Sequence, residues 1–181
     1  MTFAGIRLSL ATLLAVPLFS TLTALGQSPA PAAVDTILHA TEAAKVLPPA
    51  VFFKGQSAPV QGRNSAGVKF ADGAFVLAAL VDNSGYSTAV QQKYQTCFIV
   101  ETPIQVNGHP LPPGAYGVGF VQGRFGVMDI GGHDLFAVDD AHDADLKRPT
   151  PLQIVADTAP GRYRLYQGRD YVVVSRAPDA K

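Results

Sequence analysis

The sequence predicts an all-β chain: an antiparallel β-sandwich, or a flattened barrel, of short strands with one short N-terminal helix. Three observations predict it. From position 50 onward, short apolar runs recur between Gly, Pro, Asn and Asp, at the spacing of many-stranded antiparallel folds. Dipeptides suited to tight turns, Asn107-Gly108 and Gln122-Gly123 among them, join several of these runs. Helical spacing of apolar residues is confined to one stretch near the N-terminus, and no repeat of solenoid length is visible.

The chain opens with a short segment carrying one positive charge, Met1 to Arg7. A mostly apolar run follows from Leu8 to Leu25, and Ala24-Leu25-Gly26 places small residues at the −3 and −1 positions of a signal-peptidase site. Residues 1–26 are therefore expected to be a signal peptide, with a mature chain starting at Gln27 that is secreted or periplasmic. An uncleaved anchor fits less well, because Ser9, Thr12, Pro17, Ser20, Thr21 and Thr23 dilute the run and no basic cluster follows it. No later stretch could span a membrane as a helix. The mature chain holds one domain's worth of residues and one more acidic than basic side chain. That balance argues against nucleic acid and against a polybasic membrane footprint. The single cysteine, Cys97, cannot form an internal disulfide; its setting in Thr96-Cys97-Phe98-Ile99-Val100 marks it as buried filler.

Residues 27–48 are expected to form a tether and a short helix, and residues 49–181 the β-sandwich. Gln27 to Ala33 is rich in Pro and Ala, the composition of an extended tether. The helix is expected over Val34 to Leu47, with Ile37, Leu38, Thr41, Ala44 and Val46 or Leu47 approximating a stripe and Pro48-Pro49 ending it. Strands are expected at 51–53, 58–61, 67–70, 75–81, 96–101, 104–106, 116–121, 124–130, 135–138, 152–156, 162–167 and 171–175. The run from Phe75 to Val81 is apolar on both faces and so belongs in the centre of a sheet. Asp82 to Lys93 breaks the pattern and reads as a loop with a helical turn. Phe75, Leu77, Phe98, Tyr116, Phe120 and Phe125 are expected to share one core layer between two sheets.

Two hairpins permit a finer reading. A Gln122-Gly123 turn pairs Val121 with Arg124, Phe120 with Phe125 and Gly119 with Gly126, and would pair Tyr116 with Asp129. Because side chains alternate across a sheet, Tyr116, Val118, Phe120, Phe125 and Val127 then share a core face. The opposite face carries Gly117, Gly119 and Gly126, a bare patch edged by Val121, Arg124 and Met128. Three glycines on one face imply close approach by another backbone or by a ligand, and the protein's own next layer is the commoner cause. In the second hairpin, a Gly168-Arg169 turn would place Arg162, Arg164, Tyr166 and Tyr171 on one face. Arg and Tyr together could bind an anionic or planar ligand. A solvated outer face on an edge hairpin is the simpler expectation.

The densest polar feature runs from position 129 to 145, which holds two of the four histidines and six of the fourteen acidic residues. Asp129, His133, Asp134, Asp139, His142 and Asp143 are the candidate ligands of a divalent cation, Ca²⁺ through oxygens or Zn²⁺ through nitrogens. The spacing fits no EF-hand, since Ala141 stands where a ligand belongs, and Asp is also an ordinary turn residue. Nucleophilic catalysis has less support: Gly55-Gln56-Ser57-Ala58-Pro59 lacks the final Gly and the strand-turn-helix context of a nucleophile elbow. No phosphate loop, dinucleotide fingerprint, HExxH or CxxC occurs.

The segment from Ile104 to Tyr116, with Gly108, Leu111, Pro112, Gly114 and Tyr116 at the matching positions, resembles the Leu-Pro-x-Gly-x-Tyr hairpin unit of bacterial secreted β-domains of unknown function. The resemblance covers about a tenth of the mature chain and implies a secreted bacterial β-sandwich; it carries over no active site. Pro113-Gly114 is expected to form a type II turn with Gly114 at positive φ. The leading expectation is an exported, non-catalytic module that binds a protein or small-molecule partner without a cofactor. The alternative is a metal-dependent hydrolase using the Asp/His loop 129–145. A third reading, a barrel that encloses a small molecule, requires a cavity among the central strands. The absence of Trp argues against a carbohydrate platform.

Overall fold

The computed structural model describes Met1 and residues 34–178. The signal peptide expected at 1–26 and the tether at 27–33 lie outside the described stretch. Among the described residues, fourteen strands, all antiparallel to their neighbours, form two sheets. The larger runs in the order β1 (Thr36–Leu38), β3 (Gln56–Lys69), β4 (Phe75–Val81), β5 (Thr96–Val100), β8 (Gly114–Val121), β9 (Arg124–Met128) and β10 (Asp134–Asp139), with β2 (Ala50–Phe53) also paired to β3. The smaller runs β12 (Gln153–Ala156), β13 (Arg162–Gln167), β14 (Asp170–Arg176), β6 (Ile104–Val106) and β7 (His109–Leu111), with β11 (Ala141–His142) also paired to β14. The described residues also form two short helices, α1 (Ala40–Val46) and α2 (Thr88–Lys93). Neither is long and apolar enough to cross a membrane.

The sheets face each other across one apolar core. Val76, Phe98, Val118, Phe125 and Val127 of the larger sheet meet Ile104, Ile154, Leu165, Val172 and Val174 of the smaller. A second cluster covers the outer face of the larger sheet, where Leu77, Ala79 and Cys97 lie under Ala43 of α1, Phe53, Tyr86 and Tyr94. With both faces covered, β4 can be apolar at every position, which is why its sequence shows no alternation. Leu77 consequently belongs to the outer cluster with Phe75 against it, while Phe98, Tyr116 and Phe125 lie in the inter-sheet core with Phe120 partly buried beside them.

Several other elements differ from expectation for identifiable reasons. The N-terminal helix starts at Ala40, because Thr36–Leu38 adds to the edge of β3 with Ile37 opposite Val68. Asp35, inside the expected helix, precedes β1 instead. Its Oδ1 accepts the Ala71 N–H at 2.9 Å and its Oδ2 accepts the Tyr163 hydroxyl at 2.6 Å, tying the two sheets together. The strands expected at 58–61 and 67–70 are one strand, whose register against β4 steps from Val60↔Val81 to Ser65↔Ala79. The hairpin β13–β14 is central, flanked by β12 and β6, so it is not an edge. Gly114 begins β8 without a positive φ. Its missing side chain instead makes room for Tyr116, whose hydroxyl would lie 2.8 Å from a Cβ there and donates to the Pro112 carbonyl at 2.9 Å.

The Asn107-Gly108 turn has φ of 47° and 83°, as a primed hairpin turn requires. Asn107 Nδ2 donates to the Asp139 carbonyl at 2.7 Å, and its Oδ1 accepts the Val173 N–H at 2.7 Å. The His109 ring stacks on Phe136 at 3.9 Å. These contacts join the last strands of both sheets, β7 and β10, and close that side of the sandwich.

Candidate functional site: a glycine-floored groove

The Gln122-Gly123 turn has φ of 53° and 78° and fixes the register of β8 and β9: Val121↔Arg124, Phe120↔Phe125, Gly119↔Gly126 and Gly117↔Met128. On the next strand, Ala137 lies opposite Gly126. Gly119, Gly126 and Ala137 thus form a row of minimal side chains across three adjacent strands, on the face turned away from the smaller sheet.

Part of this face is capped. Phe53 stacks on Tyr94 with ring centroids 3.8 Å apart, and Tyr86 meets both rings edge-on. The Tyr86 hydroxyl donates to the Phe53 carbonyl at 2.9 Å, and Asn83 Nδ2 donates to the Tyr94 carbonyl at 2.6 Å. The cap presses on Gly117, where a Cβ would run into the Phe53 ring and lie 2.8 Å from Tyr94. At Gly119 a Cβ would collide with the Lys93 carbonyl at the end of α2. The expected close approach of the protein's own next layer holds at these two glycines. It fails at Gly126, where a Cβ would meet nothing nearer than the Gly119 carbonyl at 3.9 Å.

Beyond the cap the face opens into a groove of about 320 Å³ floored by Gly119, Gly126 and Ala137. Lys93, Met128, Asp134 and Leu135 form one wall, and Val121 and Arg124 the other. Lys93 Nζ lies 2.6 Å from Asp134 Oδ2. Arg124 Nη2 donates to the Ala137 carbonyl at 2.8 Å, while its Nε stands 3.8 Å from Asp139 Oδ1. The hairpin register alone locates Gly119, Gly126, Val121, Arg124 and Met128. Lys93, Leu135 and Ala137 carry no local signal of it, because α2 and β10 reach the groove only through tertiary packing.

The six candidate metal ligands are not gathered in one place. Asp129 and His133 close a small turn, with the His133 N–H donating to Asp129 Oδ1 at 3.0 Å and His133 Nδ1 lying 3.0 Å from Oδ2. These hydrogen bonds hold the Asp129 carboxyl below its ordinary range. Asp134 pairs with Lys93, Asp139 faces Arg124, and His142 Nδ1 lies 2.6 Å from Asp170 Oδ1. Asp143 accepts the Tyr166 hydroxyl at 2.8 Å. Among the described residues, no three His, Cys, Asp or Glu side chains converge as a metal site would need. Nearby Asp140 has its carboxyl pushed up, first by burial and then by the Asp170 charge.

The Arg/Tyr face does come together, but it is internally satisfied. The Arg164 guanidinium lies 4.9 Å over the Tyr171 ring, and Tyr166 packs on Tyr171 at 4.9 Å. Asp157 receives Arg164 Nε at 2.8 Å and faces Arg162 Nε at 3.4 Å. Tyr166 is buried, contrary to a solvated outer face, because the segment from Asp143 folds over it; Arg169 fastens that segment through the Asp143 and Ala144 carbonyls. Cys97 is likewise unsuited to chemistry: burial pushes its thiol up to about 11. No family model matches the chain, and neither does any curated protein or solved structure among those compared.

Proposed function

We propose that the chain is an exported, non-catalytic binding module that holds its ligand in the groove over Gly119, Gly126 and Ala137. Gly126 carries the reading. Its φ is not positive, so the backbone does not require glycine there, and a Cβ would fit without a clash. Glycine inside a strand nevertheless costs about 0.5–1 kcal/mol relative to alanine. What the missing side chain preserves is the depth of the groove. A concave, partly apolar cleft with a few polar groups at its rim is the usual form of a small-molecule site.

The pairing of Asp134, His142 and Asp143 with separate partners favours this reading over a metal-dependent hydrolase. Export rests on the leader read at 1–26 and on the resemblance of 104–116 to secreted β-domains. Intact mass of the exported protein tests it, with a mature N-terminus at Gln27 expected and a full-length, membrane-retained product against it. Binding is tested by adding a fragment collection to the ¹⁵N-labelled protein. Hits are expected to shift the amides of Gly119, Gly126 and Ala137 and to lose that effect in Gly126→Leu. Hits confined to other surfaces, or none at all, would overturn the groove as the site.

A further inference from the structure

We infer that the groove takes a flat, largely apolar small molecule bearing one carboxylate, with the Arg124 guanidinium as its anchor. The inference rests on the groove being the binding site and names what fits it. Shape comes first. The Lys93 carbonyl covers the Gly119 end of the row, so the open floor runs over Gly126 and Ala137, one inter-strand spacing of about 5 Å, and same-face rows along a strand lie about 7 Å apart. A slot one row wide, with Gly126 lacking a Cβ and Ala137 carrying only a methyl group, admits a plate lying against the backbone at Gly126. Its sides are the thioether of Met128 and the branched side chains of Val121 and Leu135, surfaces that suit a ring. An extended peptide fits less well. Gly119 and Gly126 lie in inner strands whose backbone N–H and C=O groups are engaged in ladders on both sides, and the Ala137 carbonyl of the terminal strand is taken by Arg124.

Charge selects the anchor. Two cations line the groove, but they are differently engaged. Lys93 is held by Asp134 at 2.6 Å, and that carboxylate lines the groove with it. The acidic neighbour of Arg124 is Asp139, which stands 3.8 Å from Nε, has a side chain 91% exposed and does not line the groove. The bond from Arg124 Nη2 to Ala137, a floor residue, holds the guanidinium against the groove. Nη1 has no protein partner among the described residues. A guanidinium with spare donors, fixed beside an apolar slot, receives a carboxylate through paired charge-assisted hydrogen bonds.

The chain contains no Trp, so a naphthalene probe is read by its own fluorescence without indole background. The exported protein is titrated with 2-naphthoate and with the neutral 2-naphthalenemethanol, in wild type, Arg124→Gln and Gly126→Leu, after melting curves show each variant folded. Gly126→Ala replaces the leucine variant if the latter fails to fold. The naphthoate is expected to bind about tenfold or more tighter than the alcohol. Arg124→Gln should bring the naphthoate down to the level of the alcohol and leave the alcohol unchanged, and Gly126→Leu should weaken both. Equal binding of the two probes, both weakened by Gly126→Leu, would overturn the carboxylate anchor while leaving the groove intact. Binding of both that ignores Gly126→Leu would overturn the groove itself. Failure of the naphthoate to bind wild type would overturn the ligand class, and the amide shifts from the fragment collection would then judge the groove alone.

Discussion

Gly117 and Gly126 stand on the same face of the same hairpin, one row apart, and their surroundings are opposite. Gly117 lies beneath the rings of Phe53 and Tyr94, and a side chain there has no room. Gly126 lies beneath open space. At the first position glycine is a condition of packing. At the second it is a concession, since nothing in the fold needs it. Two identical residues can therefore mark a packed contact and an open groove, and only the layer above them tells which.

The comparison can be broken most forcefully from the cap. Phe53 is 2% exposed, and Phe53→Ala should cost about 3–5 kcal/mol of unfolding free energy in a denaturant titration. A loss below about 1 kcal/mol would mean the cap contributes little and the boundary of the groove is not held by it. Gly117→Ala should cost about 1–3 kcal/mol through overpacking against the two rings. Gly126→Ala should move the other way, gaining about 0.5–1 kcal/mol while weakening binding in the groove. If the two alanine variants shift stability in the same direction, the contrast between the glycines is wrong.

A thiol probe sharpens the same contrast without changing stability. Cys97 is opposite Gly117 in the ladder, under the cap, with its thiol pushed up to about 11 by burial. The raised value means that folding favours the neutral thiol. The stability this group contributes is complete below about pH 9 and is lost as pH rises towards 11. At pH 8 the native protein should show no labelling on the timescale in which the unfolded chain is labelled completely. Rapid native labelling would show the cap opening readily; Phe53→Ala is expected to produce that behaviour.

Most of the architecture was legible because strand alternation and turn dipeptides are local signals. The Gln122-Gly123 turn sufficed to place the glycine row and the walls at Val121, Arg124 and Met128. The rest of the groove depends on distant partners: Lys93 and Asp134 are 41 residues apart, and no local pattern announces that they meet. The Asp/His-rich loop shows the converse. Its composition suggested a single centre. Asp129 and His133 pair within one turn, whereas Asp134, His142 and Asp143 meet partners from other elements, and composition carries no record of those partners. Phe75–Val81 was legible as a central strand, yet not which face of it looked inward, because parity is silent where both faces are apolar. The start of α1 was hidden for a related reason, since Ile37 and Leu38 suit a helical stripe and an edge strand equally well.

The side-chain bonds to β10 have a bearing on how safely this protein can be concentrated. A terminal strand invites a neighbouring molecule to continue the ladder, and polymerisation follows where its acceptors are vacant. Here the Ala137 carbonyl is occupied by Arg124 and the Asp139 carbonyl by Asn107. The strand that borders the groove thus carries its own stoppers against fibre growth, and one of them, Arg124, is also the proposed anchor. Arg124→Gln would uncover the Ala137 acceptor, and that variant is expected to self-associate at lower concentration than wild type.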